Sequence, residues 1–102
     1  MIKHIVFFRF KGEADEAERR YRAGELAKIF APLGELACVN EYHTGINFSK
    51  SEDAWDFVID SSFNTSEDLE AYRISREHQE AIAAAKKYSK EKSVIDYKID
   101  KR

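Results

Sequence analysis

The feature that most constrains this chain of 102 residues is its first segment, Ile2–Lys11, which is apolar on both faces of the strand that it predicts. Its β-branched and aromatic side chains favour a β-strand. Successive side chains of a strand point to opposite faces, so Val6 and Phe8 share one face while Ile5 and Phe7 share the other. A strand with one face in water would carry polar residues on that face, so we expect both faces to be covered.

Two helical regions are predicted after this strand. The first runs from about Glu13 to Ala31, because its apolar residues recur at the spacing of one helical face and Pro32 follows it. The second starts at Thr65, which opens a sequence typical of a capping box, and Ser75 has the residue type of a new N-cap. We therefore expect two helical pieces that meet at Ser75.

Three further strands complete the order of elements. They are predicted at Leu36–Gly45, Ala54–Phe63 and Ser93–Ile99. The resulting order β-α-β-β-α-β predicts an α+β protein with the ferredoxin-like arrangement, a four-stranded antiparallel sheet with its helices on one face. We interpret residues 1–102 as a single domain, and the basic segment Lys86–Lys92 as the solvated end of the last helix.

The uncovered face of this sheet predicts a partner. Its apolar residues are Ile5, Phe7, Val58 and Tyr97. Exposing such a patch to water is unfavourable, and a second copy of the chain packed sheet against sheet about a two-fold axis is the simplest way to cover it. We therefore expect a homodimer, with the charged residues Arg9, Asp56 and Asp60 forming ion pairs near the seam.

Composition excludes several classes of protein. A formal charge of -2, from 17 basic and 19 acidic residues, argues against a protein that binds nucleic acid by neutralising phosphates. The apolar runs are far shorter than the roughly 20 residues of a membrane-spanning helix, and no secretory signal is visible. The single cysteine, Cys38, is interpreted as a buried strand residue and suits a reducing compartment, so we expect a cytoplasmic protein. The three histidines lack the short spacings of zinc sites, and we expect neither metal nor cofactor.

Several short motifs, although weak individually, occur in a characteristic order. They are HIVFFRFK at the start, GINFS after the second predicted strand, Trp55-Asp56, Phe63, Tyr72 followed by His78, and Asp96-Tyr97. Together they resemble the stress-responsive α/β-barrel (Dabb) family of the dimeric α+β barrel proteins. This resemblance implies a ferredoxin-like protomer whose sheet pairs with that of a second copy to form a barrel.

The resemblance also implies a site. A polyketide cyclase of the family works without metal or organic cofactor, through a Tyr and a His spaced as Tyr72 and His78 are here, so these two are the candidate catalytic residues. An imidazole near a helix N-terminus favours the neutral form that a general base requires, and a tyrosine hydroxyl can stabilise a developing oxyanion. The candidate substrate-binding residues are His4, Val6, Phe8, Leu26, Ile59 and Ile82.

Alternative interpretations remain open at this point. His78 could be a packed histidine that holds the junction between two helical pieces, and Tyr72 a core ring whose hydroxyl finds one partner. The first functional hypothesis is a cofactor-independent acid–base enzyme, of the cyclase, lyase or isomerase kind, acting on a small carbonyl compound or other hydrophobic molecule. The alternatives are a non-catalytic, stress-responsive dimer that binds a ligand or is purely structural, and an enzyme resembling a cofactor-free monooxygenase.

Overall fold

The computed structural model of the protein describes residues 1–99, and in that part of the chain the predicted order of strands and helices is confirmed. Residues 100–102 of the predicted domain lie outside the described part. The elements are β1 (Ile2–Phe10), α1 (Glu16–Phe30), β2 (Glu41–Ile46), β3 (Phe57–Phe63), α2 (Ser66–Ile74), α3 (Arg76–Ala85) and β4 (Ser89–Lys98). The sheet has the strand order β2-β3-β1-β4 with every neighbouring pair antiparallel. This is the ferredoxin-like fold.

The central strand β1 shows why one sheet face is buried and the other is not. Its side chains alternate, with His4, Val6, Phe8 and Phe10 buried and their neighbours only partly buried. The buried side chains face the helices, because they share one core cluster with residues of α1, α2 and α3. The opposite face has no helix over it in residues 1–99, as the sequence predicts.

Polar side chains fix where each helix begins. The carboxylate of Asp15 accepts a hydrogen bond from the backbone N–H of Glu18, so α1 starts at Glu16, three residues later than predicted. The Thr65 hydroxyl accepts from the N–H of Asp68 and begins α2. Ser75 ends α2 and also caps α3. Each cap satisfies a backbone donor that a helix cannot satisfy internally.

Two predicted strand starts are too early. The second strand begins at Glu41 and not at Leu36, because residues 31–35 form a 3₁₀ turn and residues 36–40 follow it as an irregular connection packed on the core. Cys38 therefore lies in this connection, half-buried, and not on a strand. The third strand begins at Phe57 and not at Ala54. Apolar composition marks burial in both places, but it does not distinguish a strand from packed coil.

The start of the third strand changes the positions of two side chains. A strand that began at Ala54 would place Trp55 on the same face as Phe57. In the structure the Trp55 ring instead lies 6.3 Å from the ring of Phe7 on the open face, with the Arg9 guanidinium 4.3 Å from its centre. Asp56 is not at the predicted seam either. Its carboxylate accepts from the backbone N–H of Phe10 and pairs with Arg19 of α1 at 3.3 Å.

The last strand starts earlier than predicted. It begins at Ser89, so Lys92 is a strand residue and not part of a solvated helix end. No helix within residues 1–99 is long and apolar enough to cross a membrane. The expected cytoplasmic location stays a prediction.

The open face of the sheet carries an apolar centre between two ion pairs. Ile5, Phe7 and Val58 are half-buried there, and Ile95 and Tyr97 are 51% and 49% exposed. Lys3 pairs with Asp60 on one side of this centre, and Arg9 pairs with Glu91 on the other. The loop after β2 adds Phe48, whose side chain is 92% exposed next to Phe7 and Trp55.

Candidate functional site

A cavity of about 210 Å³ lies between the helices α2 and α3 and the covered face of the sheet. Its apolar lining residues are Val6, Phe8, Phe30, Ile59, Ile82 and Val94. Its polar lining residues are His4, Tyr72, Arg73, His78, Lys92 and Asp96. The exposed members of these sets, Arg73, Lys92, Val94 and Asp96, mark the mouth of the cavity.

Seven of the eight site residues predicted from the sequence line this cavity. They are His4, Val6, Phe8, Ile59, Tyr72, His78 and Ile82. The eighth, Leu26 of α1, does not line it. Its side chain is fully buried in the hydrophobic core, so it has no surface to offer to a ligand.

Tyr72 lies in the middle of the wall formed by α2, with its ring almost completely buried. Its hydroxyl and that of Tyr42 on β2 are 2.9 Å apart and share a hydrogen bond. Burial raises the pKa of Tyr72 to about 12, so the phenol stays protonated at neutral pH. If Tyr42 donates in the shared bond, Tyr72 can donate its own proton to a ligand oxygen.

His78 is held in one tautomer. Its Nδ1 lies 3.1 Å from the carbonyl oxygen of Arg73, and because a carbonyl oxygen can only accept, Nδ1 carries the proton and Nε2 keeps a lone pair. Burial is the main cause that lowers the pKa of His78, and the positive charges of Lys92 and Arg73 lower it further. The sequence predicts a neutral imidazole from the helix dipole; the structure attributes that state first to burial.

One side chain connects the two candidate catalytic residues. The Ser75 hydroxyl donates to the carbonyl oxygen of Tyr72 at 2.7 Å and accepts from the backbone N–H of His78 at 3.1 Å. The chain therefore turns sharply between α2 and α3, and the rings of Tyr72 and His78 lie 4.7 Å apart between centres. Sequence spacing alone does not bring two side chains six positions apart into contact on a continuous helix.

His4 has a partner that the sequence did not identify. Its Nδ1 is hydrogen-bonded to the carboxylate of Asp96, which lies directly opposite on β4. The His4 ring is buried and packs edge-to-face against Tyr72, with 5.9 Å between ring centres. Because a carboxylate accepts a hydrogen bond, Nδ1 of His4 carries a proton and the orientation of the ring is fixed. The cavity thus contains two imidazoles that both pack against one phenol ring.

The third histidine is not part of this arrangement. His43 of β2 is exposed and lies 3.7 Å from the carboxylate of Glu41. It pairs with Asp60 in the sheet and so lies on the open face, away from His4 and His78. Within residues 1–99, no group of three or more His, Cys, Asp or Glu side chains is arranged to hold a metal ion.

Six residues of the site are not among the candidates predicted from the sequence. The sequence places Tyr42 and Val94 only in strands, Asp96 only in a family motif and Lys92 in a solvated segment. Arg73 and Phe30 are not predicted as lining residues. The available signal was the alternation in β4, since Lys92, Val94 and Asp96 share a face once the strand is known to begin at Ser89.

Chemically, this arrangement brings together the groups that proton transfer on a carbonyl compound would require. It offers an unprotonated ring nitrogen as base, a phenol as hydrogen-bond donor and an apolar surface against which a small molecule can pack. Its volume is below the roughly 300–1,000 Å³ of sites for drug-sized ligands, so it suits a small molecule.

Solved structures of known proteins share this fold. A dimeric protein with a ferredoxin-like fold from Bacteroides fragilis NCTC 9343 matches with a TM-score of 0.81 and 19% identity, over 96% of this chain and 95% of that chain. The hydroxynitrile lyase from Passiflora edulis matches with a TM-score of 0.78 and 18% identity, over 99% and 94%. An antibiotic biosynthesis monooxygenase matches with a TM-score of 0.73 and 9% identity, over 99% and 100%. At these identities the similarity shows the fold alone, and one fold here accompanies different chemistries.

The sequence itself gives a more specific result. No curated protein matches it at a significant level. The stress responsive A/B barrel domain, however, matches residues 2–99, which is nearly the whole chain. The protein belongs to the stress responsive A/B barrel (Dabb) domain family.

Proposed function

We propose that this protein is a homodimeric, cofactor-independent acid–base enzyme that binds a small carbonyl compound in the cavity and moves a proton on it. One observation carries the proposal: a histidine with a free ring nitrogen and a protonated tyrosine line the same cavity with their rings in contact. The hydroxynitrile lyase with the same fold is consistent with carbonyl chemistry on this scaffold.

In the proposed step, Nε2 of His78 takes a proton from the carbon next to the carbonyl group. The C–H bond breaks, an N–H bond forms, and the electron pair moves to the carbonyl oxygen to give an enolate. The Tyr72 hydroxyl donates a hydrogen bond to this oxygen, where negative charge develops. The proton on Nε2 then returns to carbon, or the enolate carbon bonds to a second carbonyl carbon, whose C=O π electrons move to its oxygen, and that oxygen takes the proton from Nε2.

The local electrostatics suit these roles at neutral pH. Since burial keeps the pKa of His78 below its usual value, the ring is neutral and able to accept a proton near pH 7. Since burial keeps the pKa of Tyr72 near 12, the phenol keeps the proton that it must donate. His4, fixed by Asp96, packs edge-to-face against Tyr72 and would orient the ligand.

The test is exchange of α-protons for deuterium in D₂O, followed by proton NMR with acetophenone and phenylpyruvate as probes. Wild-type protein should accelerate the exchange of at least one probe. His78→Ala should lower this rate about 10²–10⁴-fold, the usual contribution of a general base, and Tyr72→Phe should lower it about 10²-fold. His43→Ala, which changes a histidine outside the cavity, is the matched control and should leave the rate unchanged.

The same experiment separates the alternatives. Probes that bind in the cavity without exchange would support the non-catalytic ligand-binding dimer. Consumption of oxygen during the incubation would support the monooxygenase. Exchange that survives both His78→Ala and Tyr72→Phe would refute the proposed roles.

The dimer rests on the open face of the sheet. Ile5, Phe7, Val58 and Tyr97 form its apolar centre, Ile95 adds to it, and none of them is covered by a helix in the described part of the chain. A matching protein of the same fold is dimeric. A second copy placed sheet to sheet would bury this centre, with the ion pairs Lys3–Asp60 and Arg9–Glu91 at its sides.

Sedimentation gives the test of the dimer. The wild-type chain should sediment at twice its mass of 11.8 kDa, and Phe7→Glu should give a monomer or an aggregate, because it places a charge in the middle of the apolar centre. A matched control is Lys11→Glu, which changes an exposed residue just beyond β1. A normal dimer from Phe7→Glu would show that the interface lies elsewhere.

A further inference from the structure

Two cationic side chains stand at the mouth of the cavity without a carboxylate partner. They are Arg73, in the last turn of α2, and Lys92, on β4. Within residues 1–99, no carboxylate lies within salt-bridge distance of either. The one acidic side chain of the lining, Asp96, is already hydrogen-bonded to His4.

The two cations outnumber the single carboxylate, Asp96, at the mouth of the cavity, so the mouth carries a net positive charge. Burial first, and then the positive charges of Lys86 and Arg73, lower the pKa of Lys92. Lys92 and Arg73 act in the same direction on His78. Like charges held near one another raise the potential of the space between them, and an anion entering that space would be attracted by both.

Behind this mouth the residues that line the cavity are mainly apolar. The floor is formed by buried apolar side chains of β1, β3 and α1, including Val6, Ile59 and Phe30. A ligand that satisfies the whole cavity is therefore amphiphilic, with a negative group at the mouth and an apolar body on the floor. Arginine suits this role because its planar guanidinium can bind the two oxygens of a carboxylate or phosphate together.

From this arrangement we propose that Arg73 and Lys92 bind an anionic group of the substrate, so that the protein acts on a small carbonyl compound carrying a carboxylate or a phosphate. This proposal rests on the proposed function and names its substrate class. The anion would anchor the molecule at the mouth and leave its carbonyl group beside Tyr72 and His78.

The test is a titration of the full-length protein followed by nitrogen-proton NMR of its backbone and histidine side chains. The probes are benzoate, its neutral analogue benzamide, phenyl phosphate and inorganic phosphate. Benzoate or phenyl phosphate should bind at least about tenfold more tightly than benzamide, and whichever binds more tightly identifies the preferred anion. Binding should shift signals of His78 and weaken as salt is added.

Variants identify the residues responsible. Arg73→Gln and Lys92→Gln should each weaken binding of the anion about fivefold, the size expected for one attraction between unit charges at an exposed site, while benzamide binding stays unchanged. Lys90→Gln is the matched control, because it removes the same charge from the same strand at a residue that does not line this cavity. Circular dichroism melting curves verify that each variant is folded.

The outcomes distinguish this proposal from the proposed function. Benzamide that binds as tightly as benzoate, with shifts at His78, would overturn the anion site and leave the acid–base cavity intact. Equal losses in Lys92→Gln and Lys90→Gln would also overturn it, because the attraction would then be a property of the whole surface. Inorganic phosphate that binds as tightly as phenyl phosphate would show that the apolar floor contributes nothing to the affinity, and would overturn the amphiphilic substrate. If no probe shifts the signals of His78 or Tyr72, both proposals fail.

Discussion

The hydrogen bond between Tyr42 and Tyr72 offers a quantitative test of how the site is held. The two hydroxyl oxygens are 2.9 Å apart, and burial raises the pKa of both phenols. Tyr42→Phe removes one partner and leaves the hydroxyl of Tyr72 buried without it. A buried polar group left unpaired costs about 1–3 kcal/mol, whereas removing both partners is nearly neutral.

We therefore expect Tyr42→Phe to lower the free energy of unfolding by about 1.5 kcal/mol. For a domain of this size that corresponds to roughly 6–12 °C in melting temperature. Tyr72→Phe should also be destabilising, and the double variant should be more stable than the sum of the two single losses predicts. The free energies come from urea unfolding at one fixed protein concentration, because the stability of a dimer depends on concentration. Tyr21→Phe, at an exposed tyrosine, is the control and should change stability by less than about 0.5 kcal/mol.

Additive losses of stability in the double variant would refute an energetic interaction between Tyr42 and Tyr72. If the two single losses sum to that of the double variant within about 0.5 kcal/mol, the hydroxyls do not interact energetically. The same variant also tests function. Tyr42→Phe should slow α-proton exchange, but less than Tyr72→Phe does, since Tyr42 positions the donor and does not itself touch the ligand.

Four other predictions follow from single features. Burial lowers the pKa of His78 below 6.5, so the unfolded chain binds a proton at this residue more readily and the stability of the fold should decrease as the pH drops below 6.5. In urea unfolding between pH 7.5 and 5.5, the stability of His78→Gln should decrease less than that of the wild type. An equal decrease in both proteins would contradict this prediction. Leu26→Ala should cost about 2–5 kcal/mol of stability, because the side chain is fully buried, and a loss below 1 kcal/mol would show that the core relaxes around it. Phe48→Ser should weaken the dimer measured by sedimentation, because this exposed ring lies beside the open face, while the helix content of the protomer stays unchanged. A dimer of unchanged stability would place Phe48 outside the interface. Ser75→Ala should lower the free energy of unfolding by about 1 kcal/mol, because it removes the N-cap of α3, and it should also slow α-proton exchange. An unchanged exchange rate would mean that His78 holds its position without the cap.

The first strand explains how much of the fold could be predicted from the sequence. Val6 and Phe8 on one face, with Ile5 and Phe7 on the other, require two covering layers, and only one of these is available within the described chain. Helix caps are equally local, so Thr65 and Ser75 could be identified from residue type and spacing. These features depend on neighbours within a few positions, which is the information that a single sequence provides.

The remainder of the site depends on register between distant segments. His4 faces Asp96 across 92 positions because β1 and β4 pair in one register, and no local pattern specifies that register. Lys92 was missed because strand β4 begins with charged residues. An edge strand can carry lysines without burying them, so its sequence resembles a solvated segment.

The bridging hydroxyl of Ser75 has a consequence for how this site can vary among related proteins. Since Ser75 is hydrogen-bonded to the backbone of both Tyr72 and His78, we expect a shift of either helix to move the two rings together and to preserve their mutual geometry. The cations at the rim belong to two separate elements and have no such link. In the proposed mechanism, substitutions at the rim would therefore change selectivity for the ligand without changing the mutual geometry of Tyr72 and His78.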